Sequence, residues 1–370
     1  VKLELILILS SILVFLYLLL VVSAGAFGRI RRERRELRLA IEGRAVEIPR
    51  FLLLGLVPAI AVSTTLSLLG IVIPLPIIAA LIGITVLGAA VPSFYSPLIY
   101  GLAGGSGLLV SQVWPKTFTQ AGPNDVLAFA ILLACVMLFA LVADLCAPYH
   151  SAPHIVRSHG RRRLQNRVRQ LIFFPLVVPV PGTLLTAWPL MKLLSPEIHG
   201  VSFAVLPLVL GFGLRSFGSV RTKLHRRALL DGALLLAAVV VALLCSAAVI
   251  TSTTGLLVLA AVAIVGLAAL LLTPQQEQNA LTDAPGGVRV IAVIPETPAA
   301  KMGLHAGDTI LQCNGQDVPS PRAFYTATQH LGTFCRLRVR DQAGQFRLAE
   351  TSIFTGAPHM LGVITFPEED

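Results

Sequence analysis

The stretch Gly303-Leu304-His305-Ala306-Gly307-Asp308-Thr309-Ile310-Leu311-Gln312-Cys313-Asn314-Gly315 decides how the C-terminal part of this chain folds. Asp308 opens a short apolar strand that runs into an Asn-Gly turn, a dipeptide suited to positive φ. Gly303, Gly307 and Gly315 read as turn glycines, and Ile310, Leu311 and Val339 as core. Upstream, Val288, Val290, Ala292 and Ile294 alternate through a strand that stops at Pro295. Pro298 to Gly303 then makes one short helix, with Thr297 expected as its N-cap. Downstream, Ser320 is placed to cap a helix from Pro321 to Leu331, in which Phe324, Ala327, Thr328 and Leu331 recur at helical spacing. Cys335, Leu337 and Val339 alternate with Arg336, Arg338 and Arg340 in a half-buried strand, the arginines on its solvated face. Strands near Gln345 to Ile353 and Leu361 to Phe366 complete a small α+β domain from Gly287 to Asp370.

Thr297-Pro298-Ala299, Gly303-Leu304, Gly307-Asp308, Ile310-Leu311 and Asn314-Gly315 stand in the register of a bacterial PDZ domain, and the segment resembles that family. The resemblance implies a Gly-containing loop whose backbone N–H groups hold a peptide carboxylate. It also implies an adjoining strand that accepts the peptide as an added strand beside the longer helix. The loop of that type here is Met360-Leu361-Gly362-Val363, at the C-terminal end, so the domain resembles a circularly permuted PDZ. The candidate peptide-binding residues are therefore Leu361, Gly362, Val363, Ile364, Thr365 and Phe366, facing Phe324, Ala327, Thr328 and Leu331.

The rest of the chain has a different composition. Of 370 residues, 55% are hydrophobic and 13% charged, and the mean hydropathy is +0.80, which excludes an ordinary soluble protein. The net charge of +10 is unevenly spread. Residues 1–276 hold 22 basic and 9 acidic residues, and 277–370 hold 7 and 10. Excess positive charge thus sits beside apolar runs, where it sets membrane orientation; it gives no sign of nucleic-acid binding. The five cysteines form no disulfide framework and read as free thiols.

A bilayer core of about 30 Å needs roughly 20 apolar helical residues per crossing. Candidate spans lie near 3–27, 51–73, 75–91, 97–113, 125–147, 170–190, 201–214, 228–250 and 255–273. Pro-rich breaks before Leu75 and at Pro97 leave the count at seven to nine helices in a membrane domain over 1–273. A polar linker, 274–286, follows. The first run reads as a retained span, because its Arg cluster follows it rather than precedes it. Basic residues concentrate at 28–50, 148–169 and 215–227. A nine-span path with the N-terminus outside puts all three stretches, and the tail, on the cytoplasmic side of the plasma membrane. These stretches also suit anionic lipid, and Arg29 to Arg38, interleaved with Glu33 and Glu36, suits a helix continuing from the first span.

Catalytic patterns are weak. His-Glu-x-x-His is absent from the sequence. Gly104-Gly105-Ser106-Gly107 has the form of a rhomboid serine site, but no histidine falls within a span to serve as base, and close helix packing explains the small residues. Asp144 and Asp231 are expected about one turn from cytoplasmic helix ends, without an aspartyl-protease context. Cys146, His150, His154 and His159 read as a basic surface loop, not a metal site. No cofactor, metal or small-molecule substrate is expected.

The run Gly28-Arg29-Ile30-Arg31-Arg32-Glu33-Arg34-Arg35-Glu36 after the first span, together with the permuted domain ending in His359-Met360-Leu361-Gly362-Val363, resembles the MinJ family of topological determinants of cell division. That resemblance implies a non-enzymatic scaffold at septum and poles that links a DivIVA-like partner to the division inhibitor MinC–MinD, through a MinD-like partner. The alternatives are a PDZ-regulated membrane protease or transporter, and an adaptor presenting substrates to a separate protease.

Overall fold

The computed structural model describes residues 2–36, 44–91, 95–113, 123–146, 151–158, 161–186, 200–217, 220–272, 281–284, 286–294, 296–329, 333–352 and 361–367. The apolar N-terminal part forms α1 (Lys2–Glu36), α2 (Arg44–Leu53), α3 (Leu56–Leu69), α4 (Leu75–Ala90), α5 (Leu102–Val113), α6 (Pro123–Cys146), α7 (Val220–Ser246) and α8 (Ser252–Leu271). Among the described residues, five helical stretches are long and apolar enough to cross a membrane: Ile8–Arg35, Glu47–Leu69, Asn124–Cys146, Val220–Ser246 and Ser252–Leu271. Leu20, Val57, Leu229 and Val265 are exposed on them, as a lipid-facing surface requires. The chain is a multi-pass membrane protein. The basic run does continue α1, where Arg29 pairs with Glu33 at 2.8 Å and with Glu47 of α2 at 3.1 Å.

Two expected spans are not helices. Residues 170–190 and 201–214 fall largely within β2 (Arg161–Thr186) and β3 (Gly200–Ser216), which with β1 (Ser151–Ser158) form an antiparallel sheet in the order β1-β2-β3. The basic stretch expected as a loop at 148–169 includes the β1–β2 hairpin, with Ser158 opposite Arg161. The reason is proline. Pro175, Pro179, Pro181 and Pro207 would each cost a helix interior about 3 kcal/mol, whereas their odd-numbered spacing fits a strand. Pro175 stands opposite Pro207, Pro179 opposite Phe203 and Pro181 opposite Val201. At these pairs backbone N and O point away from the partner strand, so a missing N–H costs no ladder bond. The hairpin goes out and returns, as two helices would. The basic segments at its open end, Arg161 to Arg169 on β2 and Arg215 on β3 followed by the start of α7, therefore remain at one end.

Open strand edges are tolerated at membrane depth only where protein satisfies them. Along the outer edge of β2, Ser63 of α3 accepts from Val177 N–H at 2.9 Å, and Ile73 N–H donates to Pro179 O at 2.9 Å. Gly55 packs on the Phe173 carbonyl so closely that a Cβ would stand 1.9 Å from its oxygen. Along the outer edge of β3, Ser11 of α1 donates to Val205 O at 2.6 Å. Tyr95 and Tyr100 donate to Val209 O at 2.5 and 2.8 Å, and Tyr100 Oη accepts from Val209 N–H at 2.9 Å. Gly213 N–H donates to Tyr95 O at 3.1 Å. Every one of these strand residues is odd-numbered, the same parity as the prolines.

Arg227 of α7 extends this edge. Its guanidinium donates to Tyr95 O at 3.2 Å and Gly211 O at 3.4 Å, and lies over the Phe212 ring. Its Nε sits 3.5 Å from Asp144 Oδ2 of α6. Asp231 interacts with both groups. Asp144 does lie within a turn of the end of α6, but the expectation that Asp231 lies about one turn from a helix end is corrected, and both carboxylates are buried. Helix α7 begins at Val220, well before Asp231, and Asp144, Arg227 and Asp231 are 5%, 4% and 1% exposed. The arginine that the hairpin edge requires brings the carboxylates inside.

The C-terminal domain comprises β4 (Val288–Val293), α9 (Pro298–Lys301), β5 (Thr309–Cys313), β6 (Gln316–Asp317), α10 (Pro321–Gln329), β7 (Phe334–Arg340), β8 (Phe346–Ser352) and β9 (Val363–Thr365). Its sheet runs β8-β7-β5-β4-β9, with β6 on β5. The inner face packs Val288, Val290, Ile310, Leu337, Val339 and Leu361 under the helices. The outer face at the β4–β9 end packs Ile291, Ile364 and Phe366 on Leu164 and Ile155 of the β1–β2 hairpin. Arg162 reinforces this joint by pairing with Asp283 at 2.5 Å, donating to Pro367 O and lying over Phe366. Leu164 N–H donates to Leu281 O at 2.8 Å. Part of the expected linker is thus held on the hairpin.

Tyr100→Phe removes the hydroxyl that serves both Val209 N–H and Val209 O. It is expected to cost about 1–3 kcal/mol, the usual penalty for an unsatisfied buried backbone group, read as a lower thermal-unfolding midpoint in detergent. Thr65→Val, which deletes an exposed hydroxyl bonded only within its own helix, is the control. An unchanged midpoint for Tyr100→Phe would contradict the role given to this edge.

Candidate peptide-binding groove

The glycine-rich motif builds the scaffold of the groove. Asp308 accepts from His305 N–H at 3.0 Å and from Arg347 Nη2 at 2.7 Å, and the same guanidinium donates to Gly303 O at 2.7 Å. Arg347 of β8 thus locks the turn before β5 to the far strand, a partner that spacing did not single out. Asn314, at φ 48°, turns the chain after β5, and its Oδ1 accepts from Arg336 N–H at 2.8 Å. Cys313 and Cys335 are buried and free on β5 and β7. Their mutual hydrogen bond, with burial adding to it, holds the Cys335 thiol above its ordinary pKa.

Strand β9 pairs antiparallel with β4, Val363 opposite Val293 and Ile364 opposite Ala292, and is the outer strand of the sheet. Ile294 N–H donates to Gly362 O at 2.9 Å. Alternation along the strand then directs Val363 and Thr365 N–H and C=O to the outer edge. Immediately before β9, Ala299 N–H donates to Leu361 O at 2.9 Å, and Gly362 has φ 84°. A Cβ at Gly362 would lie 2.1 Å from Thr297 Oγ1. Position 362 therefore requires glycine for both conformation and space. Thr297 does not cap α9 through its side chain. Its hydroxyl donates to Ile294 O at 2.6 Å, which fixes the wall against which Gly362 rests.

Helix α10 begins as expected, with Ser320 Oγ accepting from Ala323 N–H at 3.2 Å. Phe324 is buried in the same core as Leu361, and Ala327 and Val363 are half-buried against it. Thr328 is half-buried and donates to Tyr325 O at 2.8 Å. The structure therefore gathers Leu361, Val363, Phe324 and Ala327 on the inner side of the sheet. Ile364 and Phe366, on the alternate face of the same chain segment, are occupied by the membrane-domain hairpin. Thr365 is half-buried between them. Leu331 and Met360 lie outside the described residues. Arg162, Leu164 and Asp283, which hold the back of β9, were not singled out from the sequence; the only signal was the density of arginine at 161–169.

Elsewhere, Ser106 Oγ donates to Leu102 O and Ala103 O of its own helix, at 3.0 and 3.2 Å. That is the arrangement of a helix-satisfied serine. Among the described residues no group of three or more His, Cys, Asp or Glu side chains is placed to hold a metal.

Residues 272–323 match the PDZ domain family. This range covers β4 to the start of α10, so the match rests on the glycine-rich half of the domain and stops before β9. No solved structure matches the chain. Over 357 residues, 93% of this chain and 92% of the relative, it is 34% identical to a protein of Lacticaseibacillus paracasei named probable cell division topological determinant MinJ. It is 26% identical over 385 residues, 96% of this chain and 92% of the relative, to the cell division topological determinant MinJ of Bacillus subtilis (strain 168). A multi-pass helical membrane part, a C-terminal PDZ domain and similarity along nearly the whole length place this chain in the MinJ family of cell division topological determinants.

Proposed function

We propose that the protein is a non-enzymatic membrane scaffold whose PDZ-like domain, held on the cytoplasmic side, recruits partners for division-site selection at septum and poles. In this reading residues 1–273 anchor the chain, 274–286 connect, and 287–370 bind. The partners are a DivIVA-like polar protein and a MinD-like membrane-bound inhibitor component. The observation that carries the reading is β9 itself. It is a short outer strand with Val363 and Thr365 backbone groups at its outer edge, and it stands on the core that includes α10. Such an edge accepts an extended peptide through main-chain bonds. Confinement to the membrane plane raises the effective concentration of the domain for other membrane-bound proteins, so weak docking suffices. The common end of the basic segments supports the cytoplasmic placement.

Gly362→Asp is a poor probe of the groove, because any side chain there strikes Thr297. Thr365→Pro is better. It deletes an outward N–H and leaves the β4 pairing, which is carried by the alternate residues. The expected result is an about two- to tenfold loss of DivIVA or MinD retention by the full-length protein in detergent, the worth of one hydrogen bond. A fluorescent fusion should also leave the septum. Retention and localisation equal to wild type would refute recruitment through this edge.

Ser106→Ala is expected to restore normal septa in a deletion strain as well as wild type does. Hydrolysis of casein by the purified protein, abolished by that substitution, would replace the scaffold reading with a protease.

A further inference from the structure

Among the described residues, the outer face of the C-terminal sheet is only half covered. At the β4–β9 end the β1–β2 hairpin seals it. At the β7–β8 end Phe334, Phe346 and Leu348 are 45%, 61% and 61% exposed. Pairing in register sets Arg338 opposite Leu348, Arg340 opposite Phe346 and Arg336 opposite Glu350, so these side chains share that one open face. Phe334, Phe346, Leu348, Arg336 and Arg338 line a concavity of about 870 Å³.

Charge distribution defines what fits. Residues 277–370 carry 7 basic and 10 acidic residues, yet three of the seven basic ones, Arg336, Arg338 and Arg340, stand in a row on this face. Arg336 is paired with Glu350 at 2.5 Å. Arg338 has no ion pair among the described residues and lies over the Phe346 ring at 5.4 Å, its charge still available above an apolar floor. Arg289 of β4 lies close enough to Arg340 for their charges to repel, with the Asp283 carboxylate near enough to offset part of its charge. An exposed aromatic and aliphatic floor under unneutralised arginine is a poor solvent-facing surface but a good anchor site, since Arg and aromatic side chains dominate binding hot spots.

We propose that this open half-face is a second protein-docking surface, separate from the β9 groove, and that it receives an acidic segment of a partner that also presents apolar side chains. Acidic residues pair with Arg338 and Arg340 while Leu or Phe side chains fill the concavity above Phe346 and Leu348. A bilayer surface, flat on this scale, does not fill a concavity, which favours a polypeptide over anionic lipid. The surface lies two strands and more from β9, so one domain holds two partners at once.

The test uses the full-length protein in phosphatidylcholine nanodiscs and a fluorescein-labelled amphipathic peptide of Glu, Leu and Phe. The same peptide with Lys for Glu, and vesicles containing phosphatidylglycerol, are the comparisons. The acidic peptide should bind, more weakly at high salt. Arg338→Glu, and separately Phe346→Ser with Leu348→Ser, should each weaken it by about tenfold or more, corresponding to about 1.4 kcal/mol. Thr365→Pro should leave it unchanged. Both sets of substitutions are at exposed positions, and an unchanged melting midpoint establishes that the fold survives. Equal affinity in wild type and both variants, or loss on Thr365→Pro instead, would overturn the proposal. So would variant-sensitive binding to the phosphatidylglycerol vesicles with none to the acidic peptide.

Discussion

The structure depends on satisfying the backbone of a β-hairpin enclosed by membrane helices. A hydrocarbon interior offers no water to an unpaired N–H or C=O, and each orphan there costs several kcal/mol. Strands β2 and β3 satisfy one another on their facing edges. Their outer edges would be ruinous without Ser63, Ile73, Ser11, Tyr95, Tyr100 and Arg227, contributed by several different helices and loops. Proline removes four further outward donors at source, at 175, 179, 181 and 207. Much of the helical packing can be understood as the arrangement that brings these few polar groups to fixed points along two strands. Asp144 follows as the counter-charge to the arginine, with Asp231 buried beside the pair.

The hairpin also explains how the membrane part holds the PDZ domain. At about 3.3 Å per residue, β2 would extend roughly 80 Å, far more than a hydrocarbon core of about 30 Å. Its basic end therefore projects beyond the bilayer, where Leu164 and Ile155 meet Ile364 and Phe366. Arg162 joins that end to Asp283 before the domain and to the Pro367 carbonyl after it. The strand proposed to offer the peptide-binding edge is consequently packed, through its other face, on an element that passes into the membrane. Apolar contact orients the domain, and the arginine sets its register.

The C-terminal domain was largely legible in the sequence, because its signals are local. Turn glycines at 303, 307 and 315, the alternation of 335 to 340, and Ser320 before a helical period all specify short elements without distant partners. The inner-face residues Leu361, Val363, Phe324 and Ala327 share one core cluster. What was not legible is that Ile364 and Phe366 serve the hairpin, a contact that depends on residues two hundred positions away. In the membrane part, an apolar run does not distinguish a buried strand from a buried helix by periodicity. Pro175, Pro179 and Pro181 on one parity were the available sign, and they were read within a span-length window. The burial of Asp231 was hidden for a related reason. The start of α7 at Val220 lies in a basic segment that reads as a loop until Arg227 is seen to turn inward.

Disulfide trapping of the hairpin register tests the central claim most directly. Val177 and Val205 face one another in a non-hydrogen-bonded pair, partly exposed, in a geometry compatible with a disulfide. In a background with the five native cysteines replaced by serine, Val177→Cys with Val205→Cys should oxidise rapidly in native membranes, seen as a linked peptide pair by mass spectrometry. Val177→Cys with Ala204→Cys, one residue out of register and on the opposite face, should not. No linkage for the first pair, or equal linkage for both, would mean that these segments cross as helices or without fixed register, and the account of the fold would fail.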